Sequence, residues 1–557
     1  MGIYLNGKKA FGVFQEDVAF TYYVDKTDIL DELVPILELK NSRTRQEKTG
    51  RGKGLKYICI TRPRRFGKTM IANMIASYLG KGVDSSGEFD RLKASGYEWY
   101  KKHLNQHNVI RITFNELPNE ITTFEQYISR IKRLLMDDLL MEYQNVRIRE
   151  DDSIWDALTK IYEYCDGEKF VFILDEWDFI YHQKFASQED KDAFTKFLST
   201  LLKDQPYVEM AYMTGILPIS KYSSGSELNM FFEFSMATME KYSEYFGFTD
   251  EEVDALYQRY IKLEEDPKVS RNDLRLWYNG YQTKSGRRLY NPRSVVGALE
   301  YNQIGSYWTN SGPYDEIYYY VKNDTANMRE DIALMMSGTP VPANVQEYAS
   351  VSMELKTKDE IFSAMVVYGF LSYADGCVSI PNKELMDKFA EMVRKRPDFG
   401  YIYRLAVESG KMLTATRKGD TDTMVELLER VHNTESPLTR YSDESELSKV
   451  ITFVYLQARE YYDIRLEDRS GTGYVDYIFY PYKKEDDGII IELKVDDTVD
   501  SAIRQIKDRK YALNFDGKLG EEPKCTGRIL AVGIAYDRKD ETKRHECKVE
   551  VLRERLK

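Results

Sequence analysis

KYICITRPRRFGKTMIANMIASYL, residues 56–79, decides how the first part of the chain folds. Residues 57–60, YICI, are a short apolar run, partly β-branched, as expected of a strand buried in a parallel sheet. Ile71, Met74, Ile75 and Leu79 then recur at helical spacing. Between them lies Phe66-Gly67-Lys68-Thr69. A strand, a loop and Gly-Lys-Thr at a helix start are the context that a Walker A loop requires. Backbone N–H groups and the helix N-terminus hold phosphates in such a loop, which here places Arg65, Gly67, Lys68, Thr69 and Met70 around a nucleotide. Lys68 is expected to reach the β- and γ-phosphates, and the Thr69 hydroxyl to ligate magnesium. The pattern GxxxxGK[ST] puts its first glycine at position 62, where this chain has Arg62. With Pro63, Arg64 and Arg65, the loop is stiffer and more cationic than usual.

Working outward, residues 169–178 read KFVFILDEWD. An apolar strand ending in Asp-Glu is the Walker B arrangement. Asp175 is expected to hold the magnesium through water and Glu176 to polarise the attacking water. Two further strand patterns, VIRITF at 109–114 and VEMAYMTG at 208–215, fit around these motifs. Strands alternating with helical stretches imply a doubly wound parallel sheet with its active groups at the strand C-terminal ends. Thr214 ends its strand where a γ-phosphate sensor would lie, between the two Walker strands; an ordinary strand-end threonine fits the position equally well.

A second constellation closes the chain. Residues 471–494 read GTGYVDYIFYPYKKEDDGIIIELK, two strand patterns around a charged, glycine-containing turn. Glu492 and Lys494 share one strand face at period two, and Asp476 can meet them across the hairpin. Two carboxylates so placed can bind one hard divalent cation through oxygen, leaving positions for phosphate and water. The metal lowers the pKa of its water and stabilises developing charge, while Lys494 positions or deprotonates the nucleophile. D-x15-E-x-K is the PD-(D/E)XK nuclease core, with Val475 in place of the proline. Glu492 lies inside the apolar run GIIIELKV, where an unpaired carboxylate is costly. Before the hairpin, ELSKVITFVYL at 446–456 patterns as a helix that could deliver a third carboxylate, Glu446 ahead of Glu444. After it, a helix from Asp500 carries Gln505 toward the metal site, Lys510 and Tyr511 extend its basic face, and RILAVGIAY at 528–536 reads as a buried strand.

The remainder bounds these readings. A chain of 557 residues suggests about three or four domains. No apolar run approaches the length of a membrane-spanning helix, and the N-terminus lacks the basic-then-apolar layout of a secretory signal. Five dispersed cysteines without a CxxC pair suit free thiols in a reducing compartment, so a cytoplasmic location is expected. The net charge of -12 opposes a DNA-coating protein but not an enzyme with a local basic cleft. In the middle, WYNGY at 277–281 and YNPRS at 290–294 flank a basic turn. A helix ending near Tyr368-Gly369 is followed by two short strands, a rhythm similar to a winged helix.

With these residues in hand, the chain resembles a bacterial family of AAA-like ATPases fused to a PD-(D/E)XK nuclease-like domain. The resemblance rests on YVDKT at 23–27, RPRRFGKT at 62–69, WYNGY at 277–281, YNP at 290–292 and PNKE at 381–384. It continues through ESELS at 444–448, GYVD at 473–476 and IELK at 491–494. It implies that Arg62 is a family trait. The expected fold is α/β and multidomain. It comprises a P-loop NTPase domain with a doubly wound parallel sheet (1–235), a helical lid or winged-helix-like region (236–345), a helical linker region with a winged-helix-like hairpin (346–435), and a restriction-endonuclease-like α/β domain (436–557). The expected cofactors are ATP and Mg2+, with Mn2+ as an alternative at the nuclease site. The expected partner is nucleic acid, DNA ahead of RNA, without a membrane and with homo-oligomers allowed. Glu176, Asp476, Glu492, Lys494, Glu446 and Gln505 carry the chemistry; Thr69, Asp175, Asp476 and Glu492 meet metal. The leading expectation is phosphodiester cleavage under ATP control. The alternative is an ATPase whose non-cleaving nuclease fold binds nucleic acid or serves as a protein-signalling switch.

Overall fold

The apolar run after Lys56 becomes strand β1 (Tyr57–Thr61), all five residues buried. In this computed structural model β1 sits inside a five-stranded parallel sheet with β2 (Asn108–Thr113), β3 (Phe170–Asp175), β4 (Val208–Gly215) and β5 (Phe232–Ser235), in the order β2-β3-β4-β1-β5. The order puts β4 between the strands carrying the two acidic and phosphate-loop motifs, as the doubly wound reading requires. β3 is buried along its whole length, so its sequence is a continuous apolar run rather than an alternation. The helix Lys68–Leu79 covers one face, with Ile71, Met74, Ile75 and Leu79 joining Ile58, Ile60, Ile173 and Tyr212 in one core.

The structure describes residues 2–38, 56–219, 227–236, 239, 241–308, 328–336, 338–345, 355, 357–394, 401–434, 444–470, 473–516, 523–540 and 544–556. By contacts the chain divides into two units, Met1–Ile317 with Ala343–Glu384, and Tyr318–Pro342 with Leu385–Lys557. Among the described residues, no helix is long and apolar enough to cross a membrane.

Within the first unit, the segment after the sheet builds a helical layer on its own core of Val253, Leu256, Tyr260, Leu274, Tyr278 and Val295. Its helices start where the sequence offers caps. Thr249 and Ser270 each form a reciprocal capping box, and Asn291 caps Pro292–Glu300 with proline in the first turn. The basic turn expected at 284–288 lies in a hairpin of Asn279–Gln282 and Arg288–Tyr290, its last residue already in the second strand. The helix Lys358–Tyr368, also boxed by Thr357 and Glu360, ends at Gly369, whose φ of +86° a side chain would disfavour. The short antiparallel strands Ser372–Ala374 and Cys377–Ser379 follow, giving the expected helix-plus-hairpin rhythm.

The second unit holds a mixed five-stranded sheet, in the order Tyr462–Ser470, Gly473–Pro481, Gly488–Val495, Ile529–Tyr536, His545–Arg553. Only the pair Gly488–Val495 with Ile529–Tyr536 is parallel. Ile489 and Ile491 pack with Leu447 and Ile451 of the helix Glu444–Val454 on one face. Ile490 packs with Ile503 and Ile506 of the helix Val499–Asp508 on the other. The period of two therefore turns Glu492 and Lys494 toward the face that Val499–Asp508 covers. The first and last strands of this sheet, and β5 of the other, are additions to the sequence reading.

A single carboxylate on a neighbouring helix gathers three amides of the N-terminus. Asp138, buried on the helix Phe124–Glu142, accepts the backbone N–H groups of Ile3 (2.9 Å), Tyr4 (2.6 Å) and Leu5 (3.0 Å). Leu5 then bridges to Ile110 and covers the outer edge of β2. Asp138→Ala strips a charged acceptor from three amides at once and is expected to cost about 3 kcal/mol of stability. Urea denaturation followed by circular dichroism checks it, with Asp138→Asn expected to lose less.

Candidate functional site

Arg62, which occupies the position of the usual first glycine, is only 1% exposed. Its guanidinium donates to the carbonyls of Thr61 (2.8 Å) and Phe234 (2.6 Å) and to Ser243 Oγ (3.3 Å), and lies 5.3 Å over the Phe246 ring. The residue that made the loop look unusually cationic thus points into the protein and ties β1 to β5. Beyond it, Arg65 (φ +70°) and Gly67 (φ +86°) are both left-handed, with Phe66 between them. Alternating hands turn successive amides toward one side, which is the geometry of an anion nest. Gly67 caps the helix Lys68–Leu79, so the nest runs into a helix N-terminus.

Lys68 is buried, and its ammonium donates to the carbonyls of Arg62 and Pro63, both at 2.9 Å. Burial pushes its pKa below the usual lysine value, against the opposing pull of Glu176, Asp178 and Asp175. Arg65, Gly67, Lys68, Thr69, Met70 and Glu176 all line one cavity of about 810 Å³, whose lining also includes Arg64, Arg293, Tyr23 and Phe248. Burial raises the Glu176 carboxyl above 4.5, reinforced by Asp175 and resisted by Lys68. Glu176 also holds a left-handed backbone, φ +56°, at the end of β3. Asp175 is fully buried behind it. One oxygen, Oδ1, accepts the Thr214 hydroxyl, and Oδ2 is a buried acceptor without a hydrogen bond among the described residues. An acceptor held in that condition at the end of a phosphate-loop sheet suits a magnesium-water shell. Thr214 therefore contacts the first acid of the pair directly.

Sequence reasoning missed Asp178. Buried at 2% exposure, it accepts the N–H groups of Ile216 (3.0 Å) and Leu217 (2.9 Å), fixing the turn after β4. The signal was the third acid of DEWD, in a stretch that reads as a solvated turn.

In the second unit, Asp476 stands one step past the hairpin pair Tyr477 and Ile491, and its Oδ2 accepts the Leu493 N–H at 2.7 Å. Glu492 is 2% exposed. Its Oε1 receives the Lys494 ammonium at 3.2 Å and the side-chain amide of Gln505. Asp476, Glu492, Lys494 and Gln505 are thus brought together. Tyr511 departs from the expected basic face: it is buried in the core with Ile503 and Ile506. Its hydroxyl bonds to Gln505 and is raised in pKa by burial and by the charge of Glu492. Glu446 and Glu444 fall in the first turn of Glu444–Val454, and their side chains lie outside the described residues. Among the described residues, no group of three or more metal-ligating side chains converges.

Residues 51–224 match a family described as "Predicted AAA-ATPase", and residues 443–546 match the PD-(D/E)XK nuclease superfamily. The chain is an AAA-ATPase-like domain fused to a PD-(D/E)XK nuclease-superfamily domain. It is 25% identical over 296 residues to an uncharacterised protein in the vnfD 5′ region of Azotobacter chroococcum mcd 1, a match spanning 52% of this chain and 51% of that relative. Among solved structures, a Walker-type ATPase of Pyrococcus abyssi aligns over 62% of this chain and 95% of its own, at 10% identity and a TM-score of 0.31. The ORC2 protein of Aeropyrum pernix aligns over 66% and 93%, at 12% identity and a TM-score of 0.32.

The Glu492–Lys494 contact is testable apart from any activity. Lys494→Met leaves a buried carboxylate without its cation and is expected to cost about 3 kcal/mol at neutral pH. Adding Glu492→Gln to that variant is expected to restore most of the loss. A double-mutant cycle from denaturation curves reads the coupling.

Proposed function

We propose that this chain binds and hydrolyses ATP in the cavity at the end of the parallel sheet, and that its nuclease-fold domain engages nucleic acid under the control of that nucleotide. One observation carries the first half: the phosphate-loop residues Gly67, Lys68 and Thr69 and the acid Glu176 line one cavity with Asp175 directly behind. In this reading the amides around Arg65 and Gly67 orient the phosphates. The Lys68 ammonium leaves its two carbonyl partners for the β- and γ-phosphates. Thr69 and Asp175 would hold Mg2+, which would neutralise phosphate charge when bound. Glu176 takes the proton of the attacking water at its carboxylate, and Thr214 keeps Asp175 in register. Tyr23 and Phe248 in the lining offer aromatic surface suited to a nucleobase.

For the C-terminal domain, the state of Glu492 favours binding over cleavage as the first reading. Its Oε1 is already met by Lys494 and Gln505, so a cation at that oxygen would have to share or displace them. A second reading, Mg2+-dependent cleavage, is favoured by the convergence of Asp476, Glu492 and Lys494. There Asp476 and Glu492 would hold the metal, which supplies an activated water and charge stabilisation, and Lys494 would bind the scissile phosphate.

Three measurements test these readings together. Glu176→Gln is expected to lower ATP turnover by at least about a hundredfold while keeping ATP binding, and Lys68→Ala to lose both. Turnover in the wild type is expected to fall as pH drops through a value above the ordinary 4.5 of glutamate, because the base must be unprotonated and burial has raised its pKa. Labelled DNA and RNA are expected to bind with an affinity that ATP changes, without nicking in Mg2+ or Mn2+. Cleavage that disappears in both Asp476→Ala and Glu492→Ala would replace binding with the second reading. No ATP binding by the wild type would end the first half.

A further inference from the structure

Three sequence motifs have no part in the chemistry above: YNPRS at 290–294, PNKE at 381–384 and WYNGY at 277–281. In the first unit all three converge on the outer side of the phosphate loop. Glu384 is 2% exposed. One of its oxygens accepts the Ser294 hydroxyl at 2.7 Å and the other accepts the Trp308 backbone N–H at 2.7 Å. The Trp308 indole N–H in turn donates to the carbonyl of Arg64, inside the loop, at 3.1 Å. Ser294 follows Arg293, which lines the nucleotide cavity. One buried carboxylate therefore ties a cavity-wall helix and the loop carbonyl to a common point.

The neighbours press on the same loop. Trp308 packs edge-on against Phe370, 5.3 Å between ring centres. Gly369 lies so close that a Cβ there would meet Pro63 Cβ at 2.7 Å. Tyr281 donates to the Gly369 carbonyl at 3.1 Å and meets Phe66 edge-on at 4.9 Å. Gly280, φ +124°, lets that strand approach the Pro381 carbonyl, which a Cβ would meet at 1.8 Å. Pro63, Arg64 and Phe66 are thus each touched from outside, while Arg62 is tied from inside.

We infer that Glu384 is a positioning residue for nucleotide binding, acting through Ser294 and Trp308 to hold the Arg64 carbonyl and the Arg293 helix in the geometry that receives the phosphates. The inference rests on the ATPase reading. A positioning role acts on the bound state more than on the chemical step, so the effect belongs in the affinity for ATP rather than in kcat. Glutamine can replace the carboxylate in part, since its amide oxygen can accept the Trp308 N–H and its NH2 can donate to Ser294 Oγ.

The test uses the full chain and four variants: Glu384→Ala, Glu384→Gln, Trp308→Phe, and Glu384→Ala combined with Trp308→Phe. ATP affinity is read with a fluorescent ATP analogue, KM and kcat from steady-state hydrolysis, and folding from thermal melts. Glu384→Ala and Trp308→Phe are each expected to weaken ATP binding and raise KM about tenfold with kcat nearly unchanged. Glu384→Gln is expected to recover most of the affinity, and the double variant to add little to either single one, as members of one chain of contacts do. Trp308→Phe keeps the ring against Phe370 and removes only the N–H. Wild-type ATP affinity in a folded Trp308→Phe protein would therefore overturn the inference, even where Glu384→Ala fails to fold. A wild type that binds ATP, with Glu384→Ala and Trp308→Phe that bind it equally, defeats this inference alone; a wild type that binds no ATP defeats the ATPase reading beneath it.

Discussion

A phosphate loop works only when its backbone amides are held still before the phosphate arrives, and here the guanidinium of Arg62 holds them from the buried side. A guanidinium offers a rigid fork of donors that stays charged in any protein environment. Inside the sheet it meets the carbonyls of Thr61 and Phe234, one at the end of β1 and one on β5. The position where most such loops use a glycine is thus a cross-strand tie, and the edge strand β5 becomes part of the loop's support. The same tie leaves the Arg62 carbonyl facing the Lys68 ammonium, so the lysine is parked on the loop it serves. Glycine at position 62 would free the backbone and remove the tie. Proline at 63 and contacts at Arg64 and Phe66 then fix from outside what Arg62 fixes from within.

The sequence made some of this legible and hid the rest for physical reasons. β1, β3 and β4 were readable because central strands of a parallel sheet are buried on both faces, and burial on both faces leaves an unbroken apolar run. The β5 segment, FEFS, was not, because it is short and on an edge, with Phe232 46% exposed. The outer strands Tyr462–Ser470 and His545–Arg553 are also edge strands, and HECKVEVLR mixes charged with apolar residues where a central strand would show an unbroken apolar run. The contacts of Arg62 and Asp178 escaped in a different way. Each has the composition of a solvated turn, and only the tertiary contacts show that their charges are buried and paired with backbone. Residue type in a loop gives no sign of which way the side chain points.

In the second unit, the period of two did most of the work. Glu492 and Lys494 had to share a face with Ile490, and Gln505, one position before the buried Ile506, reaches that face from the covering helix. Tyr511 could not be placed that way, because a 3-10 turn after a left-handed Lys510 redirects the chain and sends the ring inward. Burial there also puts an aromatic hydroxyl next to the two carboxylates, where it can fix the Gln505 amide.

The two candidate sites share one construction and differ in one respect. In both, a carboxylate ends or interrupts a buried apolar strand, FVFILD in one and GIIIELKV in the other. A carboxylate in such a place is unfavourable unless neutral donors or a cation meet it. Asp175 is met by one hydroxyl, from Thr214, and keeps Oδ2 without a hydrogen bond among the described residues. The cation nearest in role, Lys68, is turned to backbone carbonyls instead. Glu492 is met by an ammonium from its own strand and an amide from the covering helix. The first arrangement leaves the charge to be balanced by something that arrives, as a magnesium-nucleotide complex does. The second already places a cation and an amide on Oε1, so an incoming metal must compete with Lys494 for that oxygen, while Oε2 is, like Asp175 Oδ2, a buried acceptor without a hydrogen bond among the described residues. Among the described residues, the nucleotide site thus lacks a cation bonded to its acid, whereas the Glu492 site carries one on its own strand.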